Sequence, residues 1–243
     1  MPVTVLAVIP ARGGSKGLPG KNKRVLGDVP LIVHTIRAAC AAACVTDVWV
    51  STDDPEVAEI AKDAGATVPG LRPATYATDE AHVSLAVLHT MDLYRERHGA
   101  DADAIMILPP TAPLRTSEDI EAACRLWQAR GAASCVSFTP LGKPLHWLFR
   151  RVPDRPDRVT QLHPASLEQR RQDTETPYIP NGALYLCRSE VYRTHRTCYV
   201  EDMVAYVMPR ERSVDIDTEE DLLLAEQLLR LKASPAASGK PHD

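Results

Sequence analysis

The sequence predicts an α/β fold in which a parallel sheet carries helices on both faces. The chain has 243 residues, 44% of them hydrophobic, which is enough for one sizeable core. Short β-branched runs alternate with amphipathic segments of helical period, as they do in folds built from strand–helix units. We therefore expect a single domain over residues 1–233. The tail 234–243 is small, polar and proline-containing, so we expect it to be disordered.

The first part of the chain supplies four strand–helix alternations. The predicted strands are 4–11, 47–52, 103–108 and 133–138, and the predicted helices are 31–44, 55–64, 81–98 and 117–130. Ser117 is the expected N-cap of the fourth helix, because a hydroxyl there can accept from amides of the first turn. Since helices separate successive strands, parallel pairing is expected.

Residues 139–180 interrupt this alternation and are rich in proline, arginine and histidine. A structureless segment of that length is unusual inside a compact domain. We therefore interpret residues 140–180 as an arm that contacts substrate or a second subunit, with a surface loop as the alternative. Strands are expected again at 183–187 and 205–208, and a terminal helix at 219–231.

A cationic glycine loop follows the first strand. It contains Arg12, Gly13, Gly14, Lys16, Gly17, Gly20 and Lys21. Glycines let backbone amides approach an anion, and the cations supply charge that amides alone cannot. Neither the P-loop nor the dinucleotide fingerprint fits, because Ser15 stands where each requires glycine. The loop predicts a polyphosphate ligand, and an ordinary glycine-rich turn is the alternative.

Composition bears on the partners, the location and the metal sites that this protein can have. The formal net charge of −4 argues against nucleic acid as a general partner. No apolar stretch approaches the roughly 18 residues of a membrane span, so we expect a cytoplasmic protein without a membrane partner. The six cysteines form no Cys-x-x-Cys unit, and the histidines have no ligand spacing.

Six sequence blocks, spread over about residues 5 to 230, resemble the CMP-sugar synthetases, in particular the acylneuraminate cytidylyltransferases. The blocks are 9–22, 50–54, 72–79, 110–116, 180–185 and 214–218. The resemblance implies a Rossmann-like nucleotidyltransferase sheet with a dimerisation arm. It also implies CTP as substrate, Mg²⁺ as cofactor, a small anionic acceptor, pyrophosphate as product and a homodimer.

The resemblance also assigns roles to residues. Arg12 and Lys21 would grip the triphosphate, and Asp217 would complete the catalytic set. The expected nucleotide-binding positions are Ala11, Gly13, Gly14, Ser15, Lys16, Asn22, Arg72, Thr78, Asp79, Pro110 and Thr111. Asp215 and Asp217 would carry one or two magnesium ions, since side chains two apart on an extended segment share a face.

Local alternatives exist for several of these carboxylates. Asp217 or Thr218 could cap the terminal helix, and Asp79 could cap the helix expected near residue 81. Asp53 ends the second strand, where it could contact a ribose or cap the following helix.

The acceptor side departs from the family pattern. Relatives typically place Gln before Pro-Thr and Arg before Pro-Asn-Gly, whereas this chain has Pro109 and Ile179. The remaining acceptor-binding candidates are Lys143, His146, Arg171, Gln172, Asn181 and Tyr185. An unmatched polar contact costs about 1–3 kcal/mol, which disfavours sialic acid itself. We expect the acceptor to be a variant nine-carbon sugar acid or, alternatively, a phosphonate. A different hypothesis is that the chain is a non-catalytic nucleotide-binding module.

Overall fold

The computed structural model describes residues 3–15, 17–78, 80–163 and 174–233. Within these ranges the chain forms ten strands and six α-helices. The strands are β1 (Val5–Pro10), β2 (Val25–Leu26), β3 (Val29–Pro30), β4 (Asp47–Ser51), β5 (Ala104–Ile107), β6 (Ser134–Pro140), β7 (Phe149–Val152), β8 (Arg155–Gln161), β9 (Tyr178–Arg188) and β10 (Met203–Val207). The helices are α1 (Leu31–Cys40), α2 (Pro55–Asp63), α3 (Val83–His98), α4 (Ser117–Arg130), α5 (Ser189–His195) and α6 (Glu219–Ala233). The tail 234–243 lies outside the described residues.

The central sheet has six strands in the order β10-β6-β9-β5-β1-β4. β1 pairs in parallel with β4 and β5, and β10 pairs in parallel with β6, as the strand–helix alternation predicted. The expectation of an all-parallel sheet is nevertheless wrong, because β9 runs antiparallel to both β5 and β6. Between β6 and β9 the described residues form the β7–β8 hairpin, and β9 returns in the opposite direction to β6.

Helices cover both faces of this sheet, as predicted. Ile36 of α1, Val57 of α2 and Ile120 of α4 are buried in one apolar cluster with residues of the central strands. Met91 of α3 and Tyr192 of α5 are buried against the opposite face. No described helix is both long and apolar enough to cross a membrane.

Helix ends differ from the predicted ones by a few residues. Thr116, and not Ser117, caps α4: its hydroxyl accepts from the Asp119 amide, while the Asp119 carboxylate accepts from the Thr116 amide. This reciprocal pair satisfies two donors at once, which explains why the cap lies one residue earlier. The cap of α2 is Asp54, whose carboxylate accepts from the Glu56 and Val57 amides.

The segment expected to be an arm contains regular structure. β7 and β8 pair with each other in a separate two-stranded sheet, and residues 178–180 belong to the start of β9. Phe149 and Val159 lie on one face of this hairpin, and both are largely exposed. Residues 164–173 of the arm lie outside the described residues.

Candidate active site

A cleft of about 270 Å³ opens at the carboxyl ends of the parallel strands β1, β4 and β5. It is formed by the glycine loop after β1, the segment between α2 and α3 and the loop after β5. The segment between α2 and α3 reaches the end of β4, where the Arg72 amide donates to the Thr52 carbonyl (2.7 Å). Ligand clefts are expected where parallel strands end together. Its lining consists of Pro10, Arg12, Gly14, Ser15, Lys21, Asn22, Arg72, Tyr76, Thr78, Ala81, Val83, Pro109, Pro110 and Thr111. We call it the nucleotide cleft. It contains nine of the residues that the sequence assigned to catalysis or nucleotide binding.

Internal hydrogen bonds fix the glycine loop. The Gly13 amide donates to Asp53 Oδ1 (2.9 Å), and Asn22 Nδ2 donates to the Arg12 carbonyl (2.9 Å). Gly20 has φ 64°, a left-handed conformation that favours glycine. Asp53 therefore does not cap α2. Its carboxylate instead holds the glycine loop next to the end of β4. Ala11 is buried behind the cleft, and Lys16 and Asp79 lie outside the described residues.

Arg72 is held rigidly at the edge of the cleft. Its side chain is buried, its Nε donates to Ser51 Oγ (3.1 Å), and a second nitrogen donates to the Ser51 carbonyl. Burial lowers the pKa of Arg72, although the nearby Asp53 carboxylate opposes this effect. On the other side of the cleft, Arg12 donates to the Thr78 carbonyl (3.3 Å). Both guanidinium groups thus have fixed positions on the cleft wall.

The glycine loop meets the distant carboxylate pair directly. Lys21 Nζ lies 2.9 Å from Asp217 Oδ1 and donates to the Ile216 carbonyl, also at 2.9 Å. A Cβ added at Gly17 would stand 2.5 Å from the Asp217 carbonyl oxygen, so the two backbones touch. Segments about 200 residues apart in sequence therefore form one site.

Apolar packing explains why these segments meet. Leu18 from the glycine loop and Ile216 from the carboxylate segment are buried in one cluster with Leu26, Leu114 and Leu222. Ile216 points into the core and its two neighbours point away from it, as the alternation predicted. The segment is not a strand of the sheet, and it is instead anchored by the Ile216 amide, which donates to the Thr111 carbonyl (2.8 Å).

The Asp217 side chain does not cap helix α6. The hydroxyl of Thr218 accepts from the Asp221 amide, and the Asp221 carboxylate accepts from the Asp217 and Thr218 amides. Thr218 therefore caps the start of α6. The Asp217 carboxylate is 71% exposed and is bonded to Lys21.

Asp215 stands at a junction between two cavities. Protein atoms crowd its carboxylate and limit its hydration, which raises its pKa, and the charge of Asp217 adds to this effect. A hydrogen bond with the Thr111 side chain and the charge of Lys21 act in the opposite direction. Gly182 has φ 72°, and a Cβ there would stand 2.9 Å from Asp215 Oδ2, so glycine makes room for this carboxylate.

A second cavity, of about 470 Å³, lies on the other side of the contact between Thr111 and Asp215. Its lining consists of Thr139, Pro140, Leu141, Ile179, Arg210, Glu211, Ser213, Val214, Asp215, Asp221, Leu224 and Leu228. The two positions at which this sequence differs from the expected acceptor-side pattern lie in different cavities. Pro109 lines the nucleotide cleft, and Ile179 lines the second cavity.

The four described acceptor candidates do not line the second cavity. Asn181 is buried, and its amide is used internally: Ser137 Oγ donates to its Oδ1 (2.6 Å) and its Nδ2 donates to Ser213 Oγ (2.9 Å). Tyr185 is half-buried, and burial raises its pKa. Lys143 lies over the Trp147 ring at 5.9 Å.

The fourth candidate, His146, is buried in the arm. Its Nε2 has no hydrogen-bond partner among the residues that the structure describes. Arg171 and Gln172 lie outside the described residues.

Sequence reasoning missed Arg115, which ties the loop after β5 to strand β9. Its guanidinium is buried and donates to the Ala183 carbonyl (2.5 Å) and the Pro109 carbonyl (3.5 Å). Burial lowers the pKa of Arg115 to about 10. Its place in the block 110–116 marked it as part of a motif, but residue type alone did not distinguish a buried tie from a surface cation.

A family model described as cytidylyltransferase matches residues 6–233. The chain belongs to the cytidylyltransferase family. It is therefore a nucleotidyltransferase that uses CTP, and the family predicted from its sequence blocks is confirmed. The match covers the glycine loop, the nucleotide cleft and the carboxylate pair within one unit.

Individual relatives agree with this assignment. The cytidylyltransferase is 36% identical over 232 residues to the CMP-N,N'-diacetyllegionaminic acid synthase of Legionella pneumophila, covering 93% of this chain and 97% of that protein. It is 33% identical over 226 residues to the N-acylneuraminate cytidylyltransferase of Escherichia coli, covering 93% of this chain and only 52% of that longer protein.

A solved structure shares the fold. The CMP:2-keto-3-deoxy-manno-octonic acid synthetase complexed with CTP matches with a TM-score of 0.69 at 19% identity, covering 94% of this cytidylyltransferase and 99% of that chain. At this identity the likeness concerns the fold: an α/β architecture around a mixed six-stranded sheet.

Proposed function

We propose that this cytidylyltransferase transfers CMP from CTP to a nonulosonic acid of the sialic or legionaminic type and releases pyrophosphate. The observation that carries this proposal is the pair of cavities on either side of Thr111 and Asp215. A nucleotide in the first and a sugar acid in the second would bring the α-phosphorus and the attacking hydroxyl to the same wall. The similarity to synthases of CMP-activated nonulosonic acids gives the acceptor class.

The nucleotide cleft supplies the positive charge that the reaction needs. When the acceptor oxygen attacks the α-phosphorus, the bond to the β-phosphate breaks and negative charge moves onto the leaving pyrophosphate. Arg12 and Lys21 line the cleft that would receive this group, together with backbone amides of Gly14 and Ser15. The Asn22 amide and the Asp53 carboxylate act indirectly, since they hold the loop in place.

Two carboxylates next to this cleft suit magnesium. Asp215 and Asp217 present oxygen donors on the same side of buried Ile216, and Mg²⁺ is commonly held by one or two carboxylates plus substrate phosphates. No group of three metal-ligating side chains is found in the described part of the chain. Asp215 and Asp217 are the residues that would hold Mg²⁺, and the ion would supply positive charge against the phosphates. Lys21, which is bonded to Asp217, would supply a second positive charge beside them.

The acceptor would enter the second cavity, which we call the acceptor cavity. Its polar side is formed by Ser213 and Asp215, and its apolar side by Ile179, Leu224 and Leu228. Mixed linings of this kind suit a sugar acid with acyl substituents.

We further propose a homodimer in which each arm covers the acceptor cavity of the other subunit. A two-stranded sheet on its own is marginally stable in water. Phe149 and Val159 expose 44% and 60% of their surface on one face of the β7–β8 hairpin, which favours a protein surface that covers them. Lys143 in the arm would then be delivered to the partner's acceptor rather than to its own, whereas His146 is buried inside the arm.

A pyrophosphate-release assay tests the function. Each of CTP, UTP, ATP and GTP is combined with Mg²⁺ and with N-acetylneuraminate, N,N'-diacetyllegionaminate, 2-keto-3-deoxy-manno-octonate or a hydroxyalkylphosphonate. We expect release with CTP and a nonulosonate, and loss of release when Mg²⁺ is chelated. Release only with the phosphonate would overturn the acceptor class, and CTP binding without release would favour a nucleotide-binding module.

A further inference from the structure

The acceptor cavity is unevenly charged. Among the described residues that line it, Glu211, Asp215 and Asp221 carry carboxylates, and Arg210 alone carries a positive charge. A sugar acid brings one more negative charge into this surrounding. A cation within the cavity would favour its binding, because an unpaired charge that loses water is costly.

The Arg210 guanidinium lies flat against the backbone where β6 leads into the arm. Its atoms are 2.5–3.0 Å from the point where a Cβ of Gly142 would stand. Gly142 has φ 77°, a left-handed conformation that favours glycine. The guanidinium thus packs against a backbone position without a side chain, beside the acceptor cavity that Arg210 lines.

Two neighbouring arginines differ in what they bind. The guanidinium of Arg212 is committed to buried Asp119, with its Nε and one terminal nitrogen 2.9 and 2.8 Å from the two carboxylate oxygens. The Arg210 guanidinium makes no hydrogen bond or ion pair with any residue that the structure describes. Its planar set of donors is thus available to a ligand of matching geometry.

We propose that Arg210 binds the carboxylate of the acceptor and so selects acidic acceptors. This rests on the proposed function for its acceptor class and adds the residue that recognises the acid group. A guanidinium can bind a carboxylate through two parallel hydrogen bonds, which fixes the orientation of the acceptor as well as holding it.

The test compares Arg210→Gln and Arg210→Lys with the wild type and with Arg130→Ala, an exposed arginine at the end of α4 used as control. Binding of N,N'-diacetyllegionaminate in the presence of a non-hydrolysable CTP analogue is measured by calorimetry, and KM values for this acceptor and for CTP are measured by pyrophosphate release. We expect Arg210→Gln to weaken acceptor binding by about 10- to 100-fold, with the KM for CTP within about twofold of wild type. Arg210→Lys should recover part of the loss.

A neutral ligand isolates the charge interaction. The carboxamide analogue of the acceptor should bind wild type and Arg210→Gln equally weakly, because neither pairing retains both charges. Equal loss of acid and amide binding, or a rise in the KM for CTP instead, would overturn the proposal. If the wild type binds the sugar acid but releases no pyrophosphate, the proposed function fails while the calorimetric comparison still decides the role of Arg210.

Discussion

The nucleotide cleft and the acceptor cavity share one wall but are built differently. The nucleotide cleft lies where parallel strands β1, β4 and β5 end, and its cations are fixed by backbone and side-chain hydrogen bonds. The acceptor cavity lies where antiparallel β9 begins and where the arm leaves the sheet. Its cation Arg210 rests on a glycine backbone without a described partner.

We attribute this difference to the ligands proposed for the two cavities. A triphosphate presents the same charges whatever the acceptor, so one rigid loop with two neighbouring segments can hold it. An acceptor varies in shape between enzymes, and a cavity that collects residues from three distant segments can vary with it.

The largest effect should come from Lys21→Ala in the rigid cleft. Lys21 lines the nucleotide cleft, where we propose that its ammonium group meets the leaving pyrophosphate, so we expect kcat/KM for CTP to fall by about 10²–10³-fold. The fold should persist, since its partner Asp217 is 71% exposed. The measurement is pyrophosphate release, with circular dichroism to check folding.

Lys23→Ala is the matched control for this variant. Lys23 lies two residues along the same loop, but its Nζ is bound to Glu56 (2.7 Å) and Asp54 (3.1 Å) and is not in the cleft lining. Its activity should stay within about threefold of wild type. Equal losses in the two variants would show that loop charge in general, and not the position of Lys21, matters.

A smaller but still large effect is expected from Val159→Asp on the arm. A negative charge beside Phe149 on this exposed face of the hairpin should prevent the proposed dimer and lower turnover on the order of 10²-fold, because the acceptor cavity would lose its proposed cover. Light scattering coupled to gel filtration measures the mass. Val25→Asp is the control, since Val25 is 62% exposed, close to the 60% of Val159, and lies on β2 outside the arm. A Val159→Asp dimer with full activity would exclude the arm interface.

The contrast also explains which features could be predicted from the sequence. The glycine loop, Arg72 and the block after β5 are contiguous motifs, and nine predicted residues line one cleft. The antiparallel direction of β9 could not be predicted, because a strand pattern by itself carries no direction and the sequence predicted no helix between β6 and β9.

The acceptor side was harder to predict for a second reason. Arg210 and Gly142 are 68 positions apart, and only tertiary packing brings them together. Asn181 has the residue type of a ligand contact, yet its buried amide is consumed by Ser137 and Ser213. The residue type suggested a contact with the acceptor, whereas the buried side chain has a structural role.

Asp119 on α4 is only 1% exposed, and its carboxylate accepts hydrogen bonds from Thr116, Tyr206 and Arg212. Burial alone would raise its pKa, but hydrogen bonds from Arg212, the Thr116 amide and Tyr206 together outweigh burial and lower it. A lowered folded-state pKa stabilises the protein above the unfolded value of about 3.9, and this contribution is lost as pH falls through the folded value.

Asp119→Asn should therefore cost about 2 kcal/mol in the free energy of unfolding at pH 7. The difference from wild type should stay constant down to about pH 5 and shrink below about pH 4. Urea denaturation at several pH values measures it, with exposed Asp63→Asn as control. A difference that is independent of pH would show that shape, and not charge, explains the role of Asp119.

The smallest effect is expected from Gly17→Ala, which tests whether the nucleotide cleft is more rigid than the acceptor cavity. A Cβ at Gly17 would stand 2.5 Å from the Asp217 carbonyl oxygen, so Gly17→Ala must push the glycine loop away from the carboxylate pair. Such overpacking costs about 1–3 kcal/mol, and we expect the KM for CTP to rise about tenfold while the KM for the acceptor changes little. Gly70→Ala is the control, because no atom lies within 4 Å of a Cβ added there. If Gly17→Ala binds CTP normally without loss of stability, the loop is adaptable, and the two cavities do not differ in rigidity.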